Sequence, residues 1–462
     1  MRRRHGWVVL GALLAALAPA AARAQAQAPT LPFTKYTLPN GLTVILSEDH
    51  RLPLVAVNVW YHVGPVQEAT GRTGFAHLFE HMMFQGSKHV PARQISILEA
   101  AGASSINGTT DFDRTNYFET MPRNQLALAL WLESDRMGFL ADAMSPAKLE
   151  NQRAVVQNER RQSVENAPYG MAGERMIQLL YPPGHPYHAN VIGSHQDLEA
   201  VQLPDVVEFF RKYYAPSNAS LAIVGDFDPA KARALVARYF GALPAGPKVE
   251  PVKPIPLAIA KEKRAALTDR VQLPRLYLAW LSPRIYQPGD AEADLLAKVL
   301  GGGRSSRLYQ RLVYEKKIAQ DVTALQYSLI LGSHFVVAVT AKPGQSLAVI
   351  EREIDAVLDE LRRAPIPAAE LGRAKRTRDA RFLRALESLG GFGGKADRLN
   401  QYEHYLGDPG WLDRDLARYR AVTATGIQDL LRTHLTRDRR VVVAVTPRVD
   451  QPATPVAQGG AK

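Results

Sequence analysis

The sequence predicts an α+β protein of two similar domains, each a mostly antiparallel sheet with helices packed on it. At 462 residues the chain exceeds one ordinary hydrophobic core, so two domains of roughly 200 residues are expected. Short strand-like runs precede longer segments of helical spacing, an order typical of α+β folds. Residues 213–229 and 434–448 share a pattern of helix end, turn and buried strand, which indicates an internal duplication.

The N-terminus predicts a secretory signal peptide over residues 1–24. Arg2–Arg4 precede an apolar run from Trp7 to Ala18, and Ala22–Ala24 forms an A-x-A cleavage pattern. The run is shorter than the ~20 residues that span a bilayer, and no later segment is long and apolar enough. We therefore expect an exported, periplasmic protein with no membrane span after cleavage of the signal.

Composition narrows the chemistry that the chain can carry. Hydrophobic residues make up 46% and charged residues 22%, the proportions of a globular protein rather than a disordered chain or a membrane bundle. Because there is no cysteine, disulfides, thiolate ligands and a cysteine nucleophile are excluded. The formal charge is +12, but no basic run is interleaved with aromatic residues, so nucleic acid is not an expected partner.

Local patterns place the elements in order along the chain. Residues 36–63 alternate β-rich runs around an Asn40-Gly41 turn and predict a hairpin that opens a sheet. From Gly74 to Gln85 the spacing is helical, and Ser145-Pro146 begins a long charged helix that runs to about Asn166. Both candidate site segments are therefore predicted to be helical.

Residues 243–257 contain five prolines and predict a semi-rigid extended linker. The linker separates an N-terminal domain, residues 33–242, from a homologous C-terminal domain, residues 258–449. Residues 450–462 are small and polar and are predicted to be a disordered tail.

The segment HLFEH at residues 77–81 predicts a metal site. His77 and His81 stand at i and i+4, so a helix presents both imidazoles on one face, about 6 Å apart. Glu80 lies beside that face, where a carboxylate can take a proton from water at the metal. The order H-x-x-E-H is the inverzincin signature, which indicates a zinc peptidase. The alternative interpretation of the segment is a helix surface with two solvated histidines.

A hydrolytic zinc site needs a third protein ligand and one open position. The predicted second helix supplies Glu159 in the segment VVQNERRQSVEN. Glu150 and Glu165 compete with it, and spacing alone does not exclude either.

The chain resembles the pitrilysin and mitochondrial-processing-peptidase family, in which H-x-x-E-H is followed some 75 residues later by a glutamate ligand. That resemblance implies His77, His81 and Glu159 as ligands of one zinc ion per chain and Glu80 as the general base. It also implies two similar α+β domains that face each other across a chamber. The segments that carry it, in the family order, are GFAHLFEHMMFQGS at 74–87, GASSINGTTDFDRTNYFETMP at 102–122, LESDRM at 132–137, HPYHANVIGS at 185–194 and GGGRSSRLYQRL at 301–312.

The family further implies an edge strand that pairs with the peptide at residues 106–110, with Asn107, Gly108 and Thr109 as substrate contacts. The alternative is an ordinary edge strand with an Asn-Gly turn. The resemblance implies a zinc endopeptidase that acts on peptides or unfolded segments. The alternative function is a non-catalytic scaffold subunit of the same fold, since some family members have lost the motif.

Two positions depart from the family pattern. Some relatives carry a second glutamate seven residues before the ligand, where this chain has Gln152. Active relatives also have an Arg and a Tyr, seven apart, that grip the substrate carbonyl, and their places fall on Val313 and Gln320. The departure predicts a homologous partner subunit that supplies the Arg/Tyr pair. The rival is a self-sufficient homodimer or monomer in which Arg307 and Tyr314, which also stand seven apart, or another donor such as Arg304 serve instead.

Overall fold

The structure is a computed structural model that describes residues 30–448. The predicted signal peptide at 1–24 and the predicted tail at 450–462 lie outside the described residues. Within the described range, no helix has the length and apolar character needed to cross a membrane.

Strands in the described part of the chain form two sheets, one on each side of the predicted linker. The first sheet has the order β1-β2-β6-β3-β5-β4, and the second has the order β7-β11-β8-β10-β9. The strands are β1 (Thr34–Thr37), β2 (Thr43–Glu48), β3 (Leu54–Tyr61), β4 (Ser104–Asp111), β5 (Arg114–Pro122), β6 (Ala219–Gly225), β7 (Lys263–Asp269), β8 (Arg275–Ser282), β9 (Ala319–Tyr327), β10 (Ser333–Ala341) and β11 (Val441–Pro447).

The two sheets repeat one topology. In the first sheet β2 pairs in parallel with β6, and every other pairing is antiparallel; in the second sheet β7 pairs in parallel with β11. Strands β6 and β11, which carry the sequence repeat, therefore hold equivalent places. Two similar, mostly antiparallel α+β units are confirmed, with β1 as an additional strand of the first.

The predicted hairpin at the start of the first sheet is present. β1 pairs antiparallel with β2, and the turn passes through Gly41 at φ +90°, a conformation that favours glycine. Asn40 fixes the turn because its side-chain amide donates to the Phe240 and Leu243 carbonyls, at 2.7 and 3.0 Å.

Helices cover both sheets, and two short π-helical segments, Arg161–Glu165 and Tyr309–Glu315, extend the helical regions. The α-helices are α1 (Phe75–Met82), α2 (Gln94–Ala100), α3 (Leu126–Phe139), α4 (Pro146–Arg160), α5 (Gly170–Leu180), α6 (His195–Ala200), α7 (Leu203–Tyr213), α8 (Pro229–Phe240), α9 (Asp290–Gly301), α10 (Leu347–Arg363), α11 (Ala368–Ala385), α12 (Lys395–Leu406), α13 (Leu412–Ala421) and α14 (Ala424–Thr433).

The two halves exchange one helix each. Helix α12, from the C-terminal half, packs Ala396 and Leu399 against β2, β3 and β6 of the first sheet. Helix α5, from the N-terminal half, packs its apolar face against β8 and β11 of the second sheet. Since full burial of each large apolar side chain contributes about 1.5–3 kcal/mol, the exchange binds the halves firmly together. Residues 31–448 accordingly form one compact unit.

The predicted linker, residues 243–257, contains neither helix nor strand. Its backbone runs from the end of α8 to β7, which is consistent with the extended conformation that its prolines favour. The division of the chain into domains at 33–242 and 258–449 stays a prediction, because the exchanged helices leave neither half packed on its own.

Candidate metal centre

Helix α1 carries the predicted H-x-x-E-H motif, and its N-terminus contacts the carboxylate of Glu68, which was not among the predicted site residues. Gly74 precedes the helix at φ +84°, where an added Cβ would lie 2.6 Å from the Ile192 carbonyl oxygen, so only glycine fits. The Glu68 carboxylate accepts the Gly74 and Ala76 N–H groups, at 3.1 and 2.8 Å. Burial raises the pKa of Glu68 to about 8, and these two hydrogen bonds oppose that rise.

Sequence reasoning missed Glu68. Acidic groups stabilise helix N-termini, but the usual signal is a capping residue at the N-terminus itself, whereas Glu68 reaches the helix from six residues upstream. It fixes the start of α1 and therefore the direction in which the helix presents its histidines.

The two histidines lie on one face of α1, as their spacing predicts. Their ring centroids are 4.9 Å apart, and the opposite face of the helix packs Leu78 and Phe79 into the core. Burial, reinforced by the nearby His81, lowers the pKa of His77 to about 4. His77 is therefore neutral at physiological pH, which is the form that binds metal.

Glu159, on helix α4, completes a three-residue cluster. Its carboxylate oxygens lie 3.8 Å from His77 Nε2 and 3.3 Å from His81 Nε2. One ligand atom from each of the three residues falls within 4.8 Å of the others. A hydrogen bond with His81 lowers the pKa of Glu159, so this carboxylate is charged at neutral pH. Two imidazoles and one carboxylate in this arrangement fit a zinc ion with one open position.

The two competing glutamates are engaged elsewhere. Glu150 forms an ion pair with Arg153 on its own helix. Glu165 lies in the π-helical segment after α4 and pairs with Arg160 at 3.0 Å and with His195 at 2.8 Å. The structure thus brings Glu159, rather than either competitor, to the histidines.

Gln152, at the position of the second family glutamate, is buried and donates to Asn151 at 2.7 Å.

Glu80 lies beside the cluster, and one of its carboxylate oxygens is hydrogen-bonded to Thr110. Its Oε2 accepts a hydrogen bond from the Thr110 hydroxyl at 2.6 Å, and the side chain is buried. Burial raises the pKa of Glu80, whereas the Thr110 hydrogen bond and the neighbouring His81 lower it. Thr110 belongs to β4, so this contact links the candidate base to the edge of the first sheet.

Strand β4 is the edge strand on which the substrate contacts were predicted. It pairs with β5 on one side only within the described residues. An added Cβ at Gly108 would lie 2.9 Å from the Phe84 ring, so a larger residue there would have to displace that ring. The Asn107 side chain accepts the Gly108 N–H at 2.9 Å, and Arg114 donates to the Thr109 carbonyl at 2.9 Å. A peptide added to this edge has to replace such contacts.

Comparison with known proteins identifies the family that has this geometry. Residues 43–177 match the family described as Insulinase (Peptidase family M16), and residues 200–378 match the Peptidase M16 inactive domain. The zinc protease PqqE of Helicobacter pylori is 31% identical over 360 residues, which covers 76% of this chain and 80% of that protein. The chain belongs to peptidase family M16.

Other M16 relatives agree in length and fold. The uncharacterized zinc protease YmxG of Bacillus subtilis is 23% identical and covers 91% of this chain and 99% of its own. A crystal structure of a protease from Helicobacter pylori superposes with a TM-score of 0.83, at 26% identity, over 91% of this chain and 100% of that one. The M16 inactive domain from Pseudomonas fluorescens gives 0.80 at 21% identity, over 91% and 99%. The family resemblance seen in the sequence is confirmed.

The two positions predicted for the carbonyl-gripping side chains of this M16 chain hold Val313 and Gln320. Val313 lies in the π-helical segment and packs against the second core, whereas Gln320 is exposed on β9. Arg307 donates two hydrogen bonds to Glu370, at 2.9 and 2.7 Å, so its guanidinium is already engaged. Tyr314 is 69% exposed. The self-sufficient alternative would therefore have to use the Arg307 Nη1 donors, which these two hydrogen bonds leave unused.

A buried cluster of charged side chains packs near the elements that carry the candidate metal centre. Arg136 donates to the Glu133 carboxylate, with one contact at 3.0 Å, and its guanidinium stacks 4.3 Å from the Tyr117 ring centroid. Burial, reinforced by Glu133, raises the pKa of Glu119 well above its ordinary value. Tyr117 in turn packs against Phe84, which contacts Gly108 of β4. Through Tyr117 and Phe84, Arg136 therefore supports the region where α1 and β4 pack against each other.

We expect Arg136→Leu to lower the free energy of unfolding by about 3–5 kcal/mol, because it leaves a buried carboxylate without its partner. Urea denaturation measures the loss. The control is Arg123→Leu, which removes an exposed pair with Asp226 and should cost less than about 1 kcal/mol. Glu133→Leu combined with Arg136→Leu should recover part of the loss, and equal stability of Arg136→Leu and wild type would contradict this role.

Proposed function

We propose that this chain is the zinc-binding, catalytic subunit of an exported endopeptidase. The observation that carries the proposal is the convergence of His77, His81 and Glu159, with Glu80 buried beside them against the edge strand. A zinc-storage role gives Glu80 no task. A non-catalytic scaffold needs neither the three ligands nor the base, although Val313 and Gln320 at the positions of the family's Arg/Tyr pair are compatible with it.

The residues divide the chemistry between them. Zinc, when bound, supplies Lewis-acid polarisation of the scissile carbonyl and acidifies the attacking water. Glu80 accepts a proton from that water and returns it to the leaving amine, and Thr110 holds the carboxylate in place through Oε2. Strand β4 orients an extended peptide through main-chain hydrogen bonds, with Asn107, Gly108 and Thr109 as the nearest contacts.

The proposed enzyme has a second subunit. Val313 and Gln320 cannot supply the charged and phenolic donors that stabilise a developing oxyanion. A homologous M16 chain that carries the Arg/Tyr pair would supply them from the opposite wall of a chamber. Export to the periplasm is part of the proposal and rests on the signal-type sequence of residues 1–24.

The metal assignment is tested on the mature chain. We expect about one zinc per chain by elemental analysis, and Glu159→Gln should weaken zinc binding more than about 100-fold, since even outer partners of metal ligands contribute 10- to 100-fold. Glu150→Gln, on the same helix but paired with Arg153, is the matched control and should bind zinc normally. Chelator should abolish peptide cleavage. Full zinc affinity in Glu159→Gln would move the third ligand elsewhere.

A further inference from the structure

The C-terminal half contains a polar cavity, outside the metal centre, with an excess of positive charge. It has a volume of about 680 Å³ and lies among helices α9, α11, α12 and α13. Five cationic side chains line it, and only three aspartates do. The cationic residues are Lys298, Arg378, Arg381, Arg398 and Arg418.

The three aspartates of the cavity are already in use. Asp415 pairs with Arg418 at 2.6 Å and with Arg378 at 3.0 Å, and Asp290 pairs with Arg418 at 2.8 Å. Asp294 accepts the Tyr419 hydroxyl at 3.0 Å. Within residues 30–448, the other three cations, Lys298, Arg381 and Arg398, form no ion pair. The cavity therefore retains uncompensated positive charge.

Two arginines present donors that no described residue satisfies. Arg378 is only 9% exposed, and its Nη1 has no hydrogen-bond partner in the described structure, although it forms a longer ion pair with Asp379 at 3.6 Å. Arg398 Nε is also buried and without a partner in residues 30–448. Both guanidinium groups lie against the Phe382 ring, at 4.5 and 4.8 Å from its centroid, which holds them in place. Buried donors of this kind are costly unless a ligand or water accepts from them.

A glycine-rich loop between α11 and α12, residues 390–394, lies between this cavity and the edge strand β4. Phe392 and Gly393 line the cavity. The ring centroids of Phe392 and Phe118 of β5 are 5.2 Å apart. A Cβ at Gly391 would lie 4.0 Å from the Ser105 side chain, near the start of β4. Asp397 fixes the loop by accepting the Gly393 N–H at 2.9 Å. The loop thus extends from the cavity to the start of β4, whereas Glu80 contacts Thr110 near the end of that strand.

We propose that the cavity is a carboxylate-binding subsite for the peptide substrate. It would receive an acidic side chain or the C-terminal carboxylate of a peptide that lies along β4. At about 3.3 Å per residue, Ser105 is roughly 17 Å along the strand from Thr110, so the carboxylate stands about five residues from the cleaved bond. Guanidinium groups are suited to this ligand because they bind carboxylates through paired hydrogen bonds. The inference rests on the proposed function for the path of the peptide, but not for the chemistry of the cavity.

The test uses the zinc-loaded Glu80→Gln chain and fluorescein-labelled ten-residue peptides, with binding measured by fluorescence anisotropy. One series moves a single Asp along the peptide and replaces it by Asn; a second compares free and amidated C-termini. We expect Asp at one position, or the free terminus, to bind about tenfold tighter. That gain should disappear in Arg398→Gln and Lys298→Gln and persist in Arg376→Gln, a control on α11 outside the cavity.

The outcomes separate the possibilities. Equal binding of Asp and Asn peptides with equal binding of free and amidated termini, or a gain at every Asp position, overturns the subsite; the second result would indicate general attraction to a basic surface. A gain that survives in both cavity variants overturns it as well. The two series identify which carboxylate is bound. Peptide cleavage by the wild-type chain together with its partner subunit is assayed separately: cleavage without positional preference removes the subsite alone, whereas preference without cleavage removes the peptidase proposal alone.

Discussion

Glu80→Gln is expected to lower peptide turnover by about 10²- to 10⁴-fold while zinc content and folding are retained. Glutamine has nearly the same shape and can still accept the Thr110 hydroxyl, but its amide cannot take a proton from water at neutral pH. Turnover is measured as kcat on a peptide library resolved by mass spectrometry, with zinc analysis and thermal unfolding of the same preparation.

The matched control for that variant is Glu150→Gln, which makes the same chemical change at an exposed ion pair on α4 and should leave turnover unchanged. If the Glu80 variant retains comparable turnover, the proton is transferred by another group and the proposed mechanism fails. If zinc is lost as well, Glu80 supports the metal and its role as a base is not separable from that.

Addition of a homologous subunit with the Arg/Tyr pair is expected to raise the peptidase activity of this chain by about 10²- to 10³-fold, the usual contribution of an oxyanion donor. The physical reason is that Val313 offers no donor and that Arg307 is held by two hydrogen bonds to Glu370. The measurement compares cleavage by the purified chain alone with cleavage after the candidate partner is titrated in.

The control for the partner is Arg307→Ala, which should not change the activity of the mixture. Full activity of the isolated chain, unaffected by partner and abolished by Arg307→Ala, would instead establish the self-sufficient alternative. A partner whose own Arg and Tyr have been replaced should bind without restoring activity, which separates assembly from chemistry.

The parts of the site that the sequence could predict are the local ones. His77, Glu80 and His81 lie within five residues on one helix, so the helical period alone fixes which face they share. Glu159 was separable from Glu150 and Glu165 only through the family resemblance, because the choice depends on how α4 packs against α1, and helical spacing carries no record of that contact. Glu68 was missed for a related reason, since its carboxylate reaches the helix from a loop.

The same limit applies to the fold. Alternation of residues and the Asn40-Gly41 turn predicted the hairpin, and the repeated strand pattern predicted two equivalent units. The apolar faces of α5 and α12 indicate only that each helix must be buried. They do not say against which sheet, so the exchange between halves was not predicted, and neither was the cavity beside α12.

The exchange of α5 and α12 has a consequence for biosynthesis. A nascent chain that has reached the linker has made every strand of its first sheet, but the apolar face formed by Ala56, Ala222 and Val224 stays bare until residues 395–406 have been added. Most of the second half must therefore be translated before the first half can finish folding. The first half therefore has an incomplete apolar core for as long as the second half is being synthesised.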